Sequence, residues 1–191
     1  MDTPQGPMQA VFEATKIANL TMHARQLSIP VPNNFVHQPS QDPQTIFIAT
    51  LKPFTEQLVA DGPLNPGETI DQRIELVKQN TLSALEKAGA VMDECSYFFF
   101  KDHKGKTFDY KVYVQDLVIG GPSSKVVIRM FNAFFVEPKF NDFYQLSLSV
   151  GPMKMPTEIL KLGVADLEHD RISMSTYMML INLMDNLKYK D

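Results

Sequence analysis

Tyr97-Phe98-Phe99-Phe100 runs into a turn at Asp102-His103-Lys104-Gly105 and returns through Phe108-Asp109-Tyr110-Lys111-Val112-Tyr113-Val114; two more apolar runs follow, Val126 to Val136 and Tyr144 to Val150. Turn residues separate these segments and no gap leaves room for a helix, so 96–150 reads as an antiparallel meander. In the last run Tyr144, Leu146, Leu148 and Val150 alternate with Gln145, Ser147 and Ser149, the pattern of a strand with one dry face. Phe108, Tyr110, Val112 and Val114 alternate in the same way. Val126 to Val136 is apolar on both faces apart from Arg129 and Asn132, which predicts a central strand covered on both sides.

Two helices are expected to provide that cover. Upstream, Thr69 stands where an N-cap belongs and Gln72 three residues on is its capping-box partner; Asp71, Lys87 and Gly89 suit a helix start, a helix end and a left-handed stop. Ile70, Ile74, Val77, Thr81, Ala84, Leu85 and Ala88 share one face, which predicts a helix over about 69–88 lying on the sheet. Downstream, Gly151-Pro152 ends the meander and 151–172 is a connecting segment, with single helical turns expected around Thr157 to Leu162. A second helix over about 173–187 then carries Met174, Tyr177, Met178, Ile181, Met184 and Leu187 on a broad apolar face.

The first third is less regular. Residues 1–7 form a frayed lead-in, and Met8, Val11, Phe12 and Thr15 recur at helical spacing, predicting a short N-terminal helix that ends near Asn19. Leu27-Ser28-Ile29-Pro30-Val31-Pro32 reads as a strand whose prolines belong at an end or an edge, because proline cannot donate to a ladder. Thr45 to Leu51 is a second, β-branched strand. Nine of the 13 prolines fall before residue 67, so this region is a set of short extended pieces that needs the meander to build a core. The expected architecture is a single α+β domain over 1–191, with an antiparallel sheet of about five or six strands and two main helices.

Composition narrows the function. With 44% hydrophobic and 21% charged residues the chain is an ordinary globular protein. Its net charge of −4 and lack of a basic run disfavour nucleic-acid binding. One cysteine, Cys95, allows neither an intrachain disulfide nor a thiolate metal cage. The opening residues lack the basic start and apolar run of a secretory signal, and no stretch suits a membrane span, so the expected location is the cytoplasm.

Motifs for chemistry are sparse. Gly120-Gly121-Pro122 lacks the spacing of a phosphate loop and reads as a turn. His23, His37, His103 and His169 are too dispersed for a helical metal pair. Asp166-Leu167-Glu168-His169-Asp170 offers oxygen and imidazole ligands to a divalent cation, although a solvated loop leading into a helix is the favoured reading. A strand separates Cys95 from His103 by about 20 Å at ~3.3 Å per residue, so they cannot form a nucleophile–base dyad. No metal or cofactor is predicted, and an enzyme would have to assemble a site from Asp109, His103, Arg129, Cys95 or the acidic cluster.

The concentration of Phe and Met is more telling. Consecutive phenylalanines in a strand point to both faces, and Phe98, Phe99, Phe100, Phe131, Phe134, Phe135, Phe140, Phe143 and Tyr144 exceed what one core face takes up. Core packing beneath the two helices is the bland outcome. The functional one is a recognition surface for another protein, for which the candidate residues are Phe98, Phe100, Phe131, Phe135, Met174 and Met178.

The order of strand, proline-rich turn, strand, capped helix, meander and C-terminal helix resembles the PsbP-like/DcrB-like α+β superfamily. Leu27-Ser28-Ile29-Pro30-Val31-Pro32-Asn33-Asn34-Phe35 is similar to the strand and proline turn with which many members open. The resemblance covers about residues 26–187 and implies an α+β sandwich of a kind that mostly binds other proteins rather than catalysing a reaction; a bacterial-style protein is the expectation. It carries no shared active-site motif. The expected function is therefore a non-catalytic binding or adaptor module, the alternative being a small-molecule or lipid carrier with a pocket between sheet and helix.

Overall fold

The structure, a computed structural model, describes residues 17–24, 27–90, 95–119, 126–153 and 171–190. In chain order its elements are β1 (Ile17–Ala24), β2 (Leu27–Pro32), β3 (Val36–His37), β4 (Thr45–Leu51), β5 (Phe54–Pro63), α1 (Ile70–Lys87), β6 (Ser96–His103), β7 (Tyr110–Ile119), β8 (Val126–Glu137), β9 (Asp142–Met153), α2 (Arg171–Asn186) and β10 (Lys188–Tyr189). The fold is α+β. Seven antiparallel strands form one sheet in the order β3-β4-β5-β9-β8-β7-β6, and β1-β2-β10 form a small second sheet.

The expected meander is β6 to β9, in which each strand pairs with the next. β8 lies between β7 and β9 and is buried along most of its length, as its two-sided apolar pattern predicts. The main sheet extends further than expected because β5 pairs with β9 and carries β4 and β3 beyond it. No strand is expected between Leu51 and Pro63. The pattern there is obscured because the inward positions of β5 are Phe54, Glu56, Leu58 and Ala60, with a carboxylate where an aliphatic side chain would mark the face.

The expected N-terminal helix is corrected at its end: Ile17 to Asn19 belong to strand β1, which pairs with β2. β-Branched Ile17 meets a neighbouring ladder, pairing with Pro32, which outweighs local helix preference. The remainder of the predicted helix, the 157–162 turns, Gly120-Gly121-Pro122 and the 166–170 cluster lie outside the described residues. In β2 the prolines sit where the strand has one neighbour, since β10 pairs only with Leu27 and Ser28.

Strand parity divides the core. Phe131, Ala133 and Phe135 of β8, Tyr144, Leu146 and Leu148 of β9, and Leu27, Ile29 and Val31 of β2 pack together with Tyr177, Leu180, Leu183 and Met184 of α2. The opposite face has a much smaller cluster, Ile74 of α1 with Phe134 and Phe143. A buried ion pair fixes the start of α2 to the first face: Arg129 Nε and Nη2 donate to the Asp116 carboxylate at 2.7 and 2.8 Å, and Nη1 donates to Ser173 Oγ at 2.7 Å.

On the second face α1 begins as the sequence predicts. Gln72 N donates to Thr69 Oγ1 and Thr69 N to Gln72 Oε1, closing the capping box, and Gly89 takes a φ of 83° at the other end. Arg73 ties the first turn to the end of β5 through Glu68, Asp61 and the Pro63 carbonyl. The expected apolar stripe nevertheless covers only part of the face. Ile74 is buried, Val77, Thr81 and Leu85 are half-buried, and Ala84 and Ala88 are exposed. The C-terminal half of α1 stands off the sheet.

Candidate functional site

The candidate residues are distributed by the same parity. Phe131 and Phe135 have no exposure, because their positions on β8 turn both rings towards α2. Phe135 stacks between Phe108 and Tyr144, at 5.1 and 5.4 Å, and the Phe131 ring lies 6.3 Å from Tyr177. They are core residues and cannot touch a partner. The side chain of Phe98 lies outside the described residues, at a register shift between Tyr97 and Phe99.

Phe100, Met174 and Met178 are at the surface, with exposures of 48%, 36% and 52%. They do not form one patch. Phe100 is on the α1 side of the sheet, 4.7 Å from the Tyr113 ring, with Lys111 Nζ 5.6 Å from its own centroid. That lysine bridges Asp102 at 2.9 Å and Asp71 of α1 at 3.4 Å. The neighbouring Phe99 points the other way, edge-on to Tyr177 at 5.6 Å.

Met174 and Met178 lie on the outer face of α2, one turn apart, and Ile181 continues their line. Met178, Ile181, Asn182 and Asp185 border an open depression of about 350 Å³. The opposite side of the same helix is in the core through Tyr177, Leu180, Leu183 and Met184. A surface helix normally turns a charged face to water. This one has apolar side chains inward and a methionine stripe outward. Ile181, expected on the core face, is half-buried: it packs in part against the main core and in part borders the depression.

The residues considered for catalysis part company. Arg129 is committed to Asp116. Cys95 is buried, its Sγ accepting from Val118 N at 3.4 Å and facing Val118 O at 3.8 Å. His103 and Asp109 do border one cavity, of about 480 Å³, together with Ile70, Asp102, Tyr110 and Lys111. His103 Nε2 is hydrogen-bonded to the Tyr177 hydroxyl and its ring stacks on Tyr110 at 5.0 Å. Burial, reinforced by Lys101, holds the imidazole below its ordinary pKa, while burial raises the phenols of Tyr110 and Tyr177. A neutral imidazole bonded to a neutral phenol fastens α2 to β6. Among the described residues no group of three or more His, Cys, Asp or Glu side chains is placed to hold a metal, and no helix is long and apolar enough to cross a membrane.

No protein-family model matches the sequence, and no curated protein matches it. Among solved structures the chain is similar to the Ran-binding protein Mog1p of Saccharomyces cerevisiae, with a TM-score of 0.60 at 11% identity over 91% of this chain and 96% of that one. The chain thus has the Mog1p/PsbP-like fold. A Pseudomonas aeruginosa protein of unknown function, described as a putative regulator, aligns over 86% of this chain and 94% of its own at 10% identity; its TM-score of 0.38 is below what a shared topology requires.

Proposed function

We propose that this chain is a non-catalytic protein-binding module whose partner docks on the outer stripe of α2, with Met174 and Met178 as anchors and Ile181 beside them. The observation that carries this reading is Met178, an unbranched apolar side chain more than half exposed on a helix that is already apolar on its buried side. Methionine adapts to the shape it meets, and Asn182 and Asp185 supply a polar rim of the kind that surrounds an interface core. The fold supports the reading too, because it is shared with a protein described as Ran-binding, which makes Ran the first purified partner to test. Phe131 supports the stripe from beneath by packing against Tyr177, and Phe100 on the opposite face belongs to a separate surface.

The test is affinity capture with the wild-type chain, with Met174→Glu/Met178→Glu and with Phe100→Ala. Surface changes of this kind alter stability by no more than about 0.5 kcal/mol. The double variant is expected to keep its melting temperature and lose the partner, while Phe100→Ala keeps both. Recovery of the same partner by the double variant would overturn the assignment.

A further inference from the structure

Where α1 stands off the sheet it leaves a half-open cleft of about 480 Å³, bordered on the helix by Thr81, Ala84 and Leu85. A neighbouring hollow of about 340 Å³ shares Asp42, Val59, Thr81, Ala84 and Gln145 with it and extends it along the helix. The floor is the α1 face of five consecutive strands: Gln57, Gln145 and Ser147, Asn132, Gln115, and Tyr97. Volumes of this order are those of small-molecule sites.

The floor is pre-organised. Asn132 Oδ1 accepts from Ser147 Oγ at 2.7 Å and from Gln145 Nε2 at 2.8 Å, and Asn132 Nδ2 donates to the Tyr113 carbonyl at 3.2 Å. Tyr97, edge-on to Tyr113 and beneath the Lys78 ammonium at 4.9 Å, is hydrogen-bonded to Thr81 across the cleft; burial pushes its phenol up to about 12, so it is neutral. Gln115 is the exception to this order. It is 1% exposed, it borders the cleft, and among the described residues its Nε2 has no hydrogen-bond partner. A buried donor left without an acceptor is costly enough to call for one.

The lining also selects the acceptor. It contains no lysine, arginine or histidine; the nearby Lys78 is paired with Glu75 at 3.1 Å, and of the two carboxylates Asp42 is exposed at the mouth while Asp61, in the extension, is paired with Arg73. An acyl chain would leave the buried Gln115 amide without a partner. The carboxamides of Gln115 and Gln57 instead present donor and acceptor side by side, as neighbouring hydroxyls do. We infer that the cleft between α1 and the main sheet binds a neutral polyhydroxylated small molecule of one or two sugar units, with the unpaired Gln115 amide donating to one of its oxygens.

The experiment is saturation-transfer NMR on the full chain with glucose, galactose, N-acetylglucosamine and maltose, with inorganic phosphate and laurate as charged and apolar controls. The expected result is saturable binding of at least one sugar, weakened roughly tenfold by Gln115→Leu and by Gln57→Ala, the scale of one lost hydrogen bond. Gln115→Leu removes an unpaired amide and is expected to raise the melting temperature, so lost binding is not lost folding; Gln57→Ala, at a half-exposed position, is the second check. Met174→Glu/Met178→Glu should leave sugar binding intact, which separates this site from the α2 stripe. Failure of all four sugars to bind, binding indifferent to both glutamine changes, or preference for phosphate or laurate would each overturn the inference.

Discussion

Along β8, Phe131, Ala133 and Phe135 turn to one side while Met130, Asn132 and Phe134 turn to the other, and the two sides of the molecule diverge from there. The first side is closed by two elements, α2 and the small sheet, and even the short strand β2 is buried along its whole length. The second has α1 alone, held at its first turns by Arg73 and Ile74 and beyond Val77 by the contacts of Lys78 and Thr81 with Tyr97. A sheet face can be apolar throughout only where something covers it throughout. The glutamines, serines and asparagine on the α1 side lie where cover runs out, so they mark the extent of the helix's reach as well as a surface able to bind.

Substitutions on the two sides should separate sharply. Arg129→Ala would leave Asp116 buried without its guanidinium, and urea denaturation should record a loss of about 3–5 kcal/mol; changing both partners to apolar residues should recover most of it.

Glu56 interrupts the same dry side. It is fully buried between Phe54 and Leu58, and among the described residues neither carboxylate oxygen has a hydrogen-bond partner. Burial alone raises its pKa well above the ordinary 4.5. A raised carboxylate pKa means that the folded state holds a proton which the unfolded state releases. The contribution of Glu56 to stability is therefore most favourable below pH 4.5 and declines, by up to about 1.4 kcal/mol per pH unit, until its folded-state pKa is reached. Glu56→Leu should gain about 1–3 kcal/mol at pH 7 and remove that slope in a pH series of denaturation midpoints.

On the α1 side, Thr69→Ala should cost about 1 kcal/mol by opening the capping box, read as faster amide exchange in α1 with α2 unchanged. The smallest effect makes the comparison most directly: Ala84→Leu, at the cleft, should shift stability by no more than about 0.5 kcal/mol. The same exchange at buried Ala133 should overpack the core and cost about 1–3 kcal/mol.

These contrasts also set what could be read in advance. The meander, the two-sided β8, the capping box and both helices announce themselves through periodicity and cap residues. β5 does not, because Glu56 stands at an inward position, and the first strand does not, because Ile17 to Asn19 acquire their conformation from pairing with β2. Phe131 and Phe135 look the same in sequence as an exposed aromatic pair; only the packing of α2 against β8 decides that they are buried. The cleft is least legible. Thr81, Ala84 and Leu85 continue a regular apolar stripe, and nothing local records that the helix diverges from the sheet beneath them. Its floor appears only as the polar half of an ordinary alternation.

The pairing of β10 with β2 bears on how the protein is made. Tyr189 lies against Leu27, donates its hydroxyl to Glu137 at 2.5 Å, and has the Lys139 ammonium 4.1 Å from its ring, so a late strand joins an early strand to the β8–β9 turn. During synthesis the early strands and the whole meander leave the ribosome before α2 and β10. Until those arrive, the driest face of the main sheet, with Phe131, Phe135 and Tyr144, has no helix over it. The nascent chain thus passes through an interval in which its stickiest surface is open to water, and either rapid docking of α2 or a chaperone's temporary cover must bridge it.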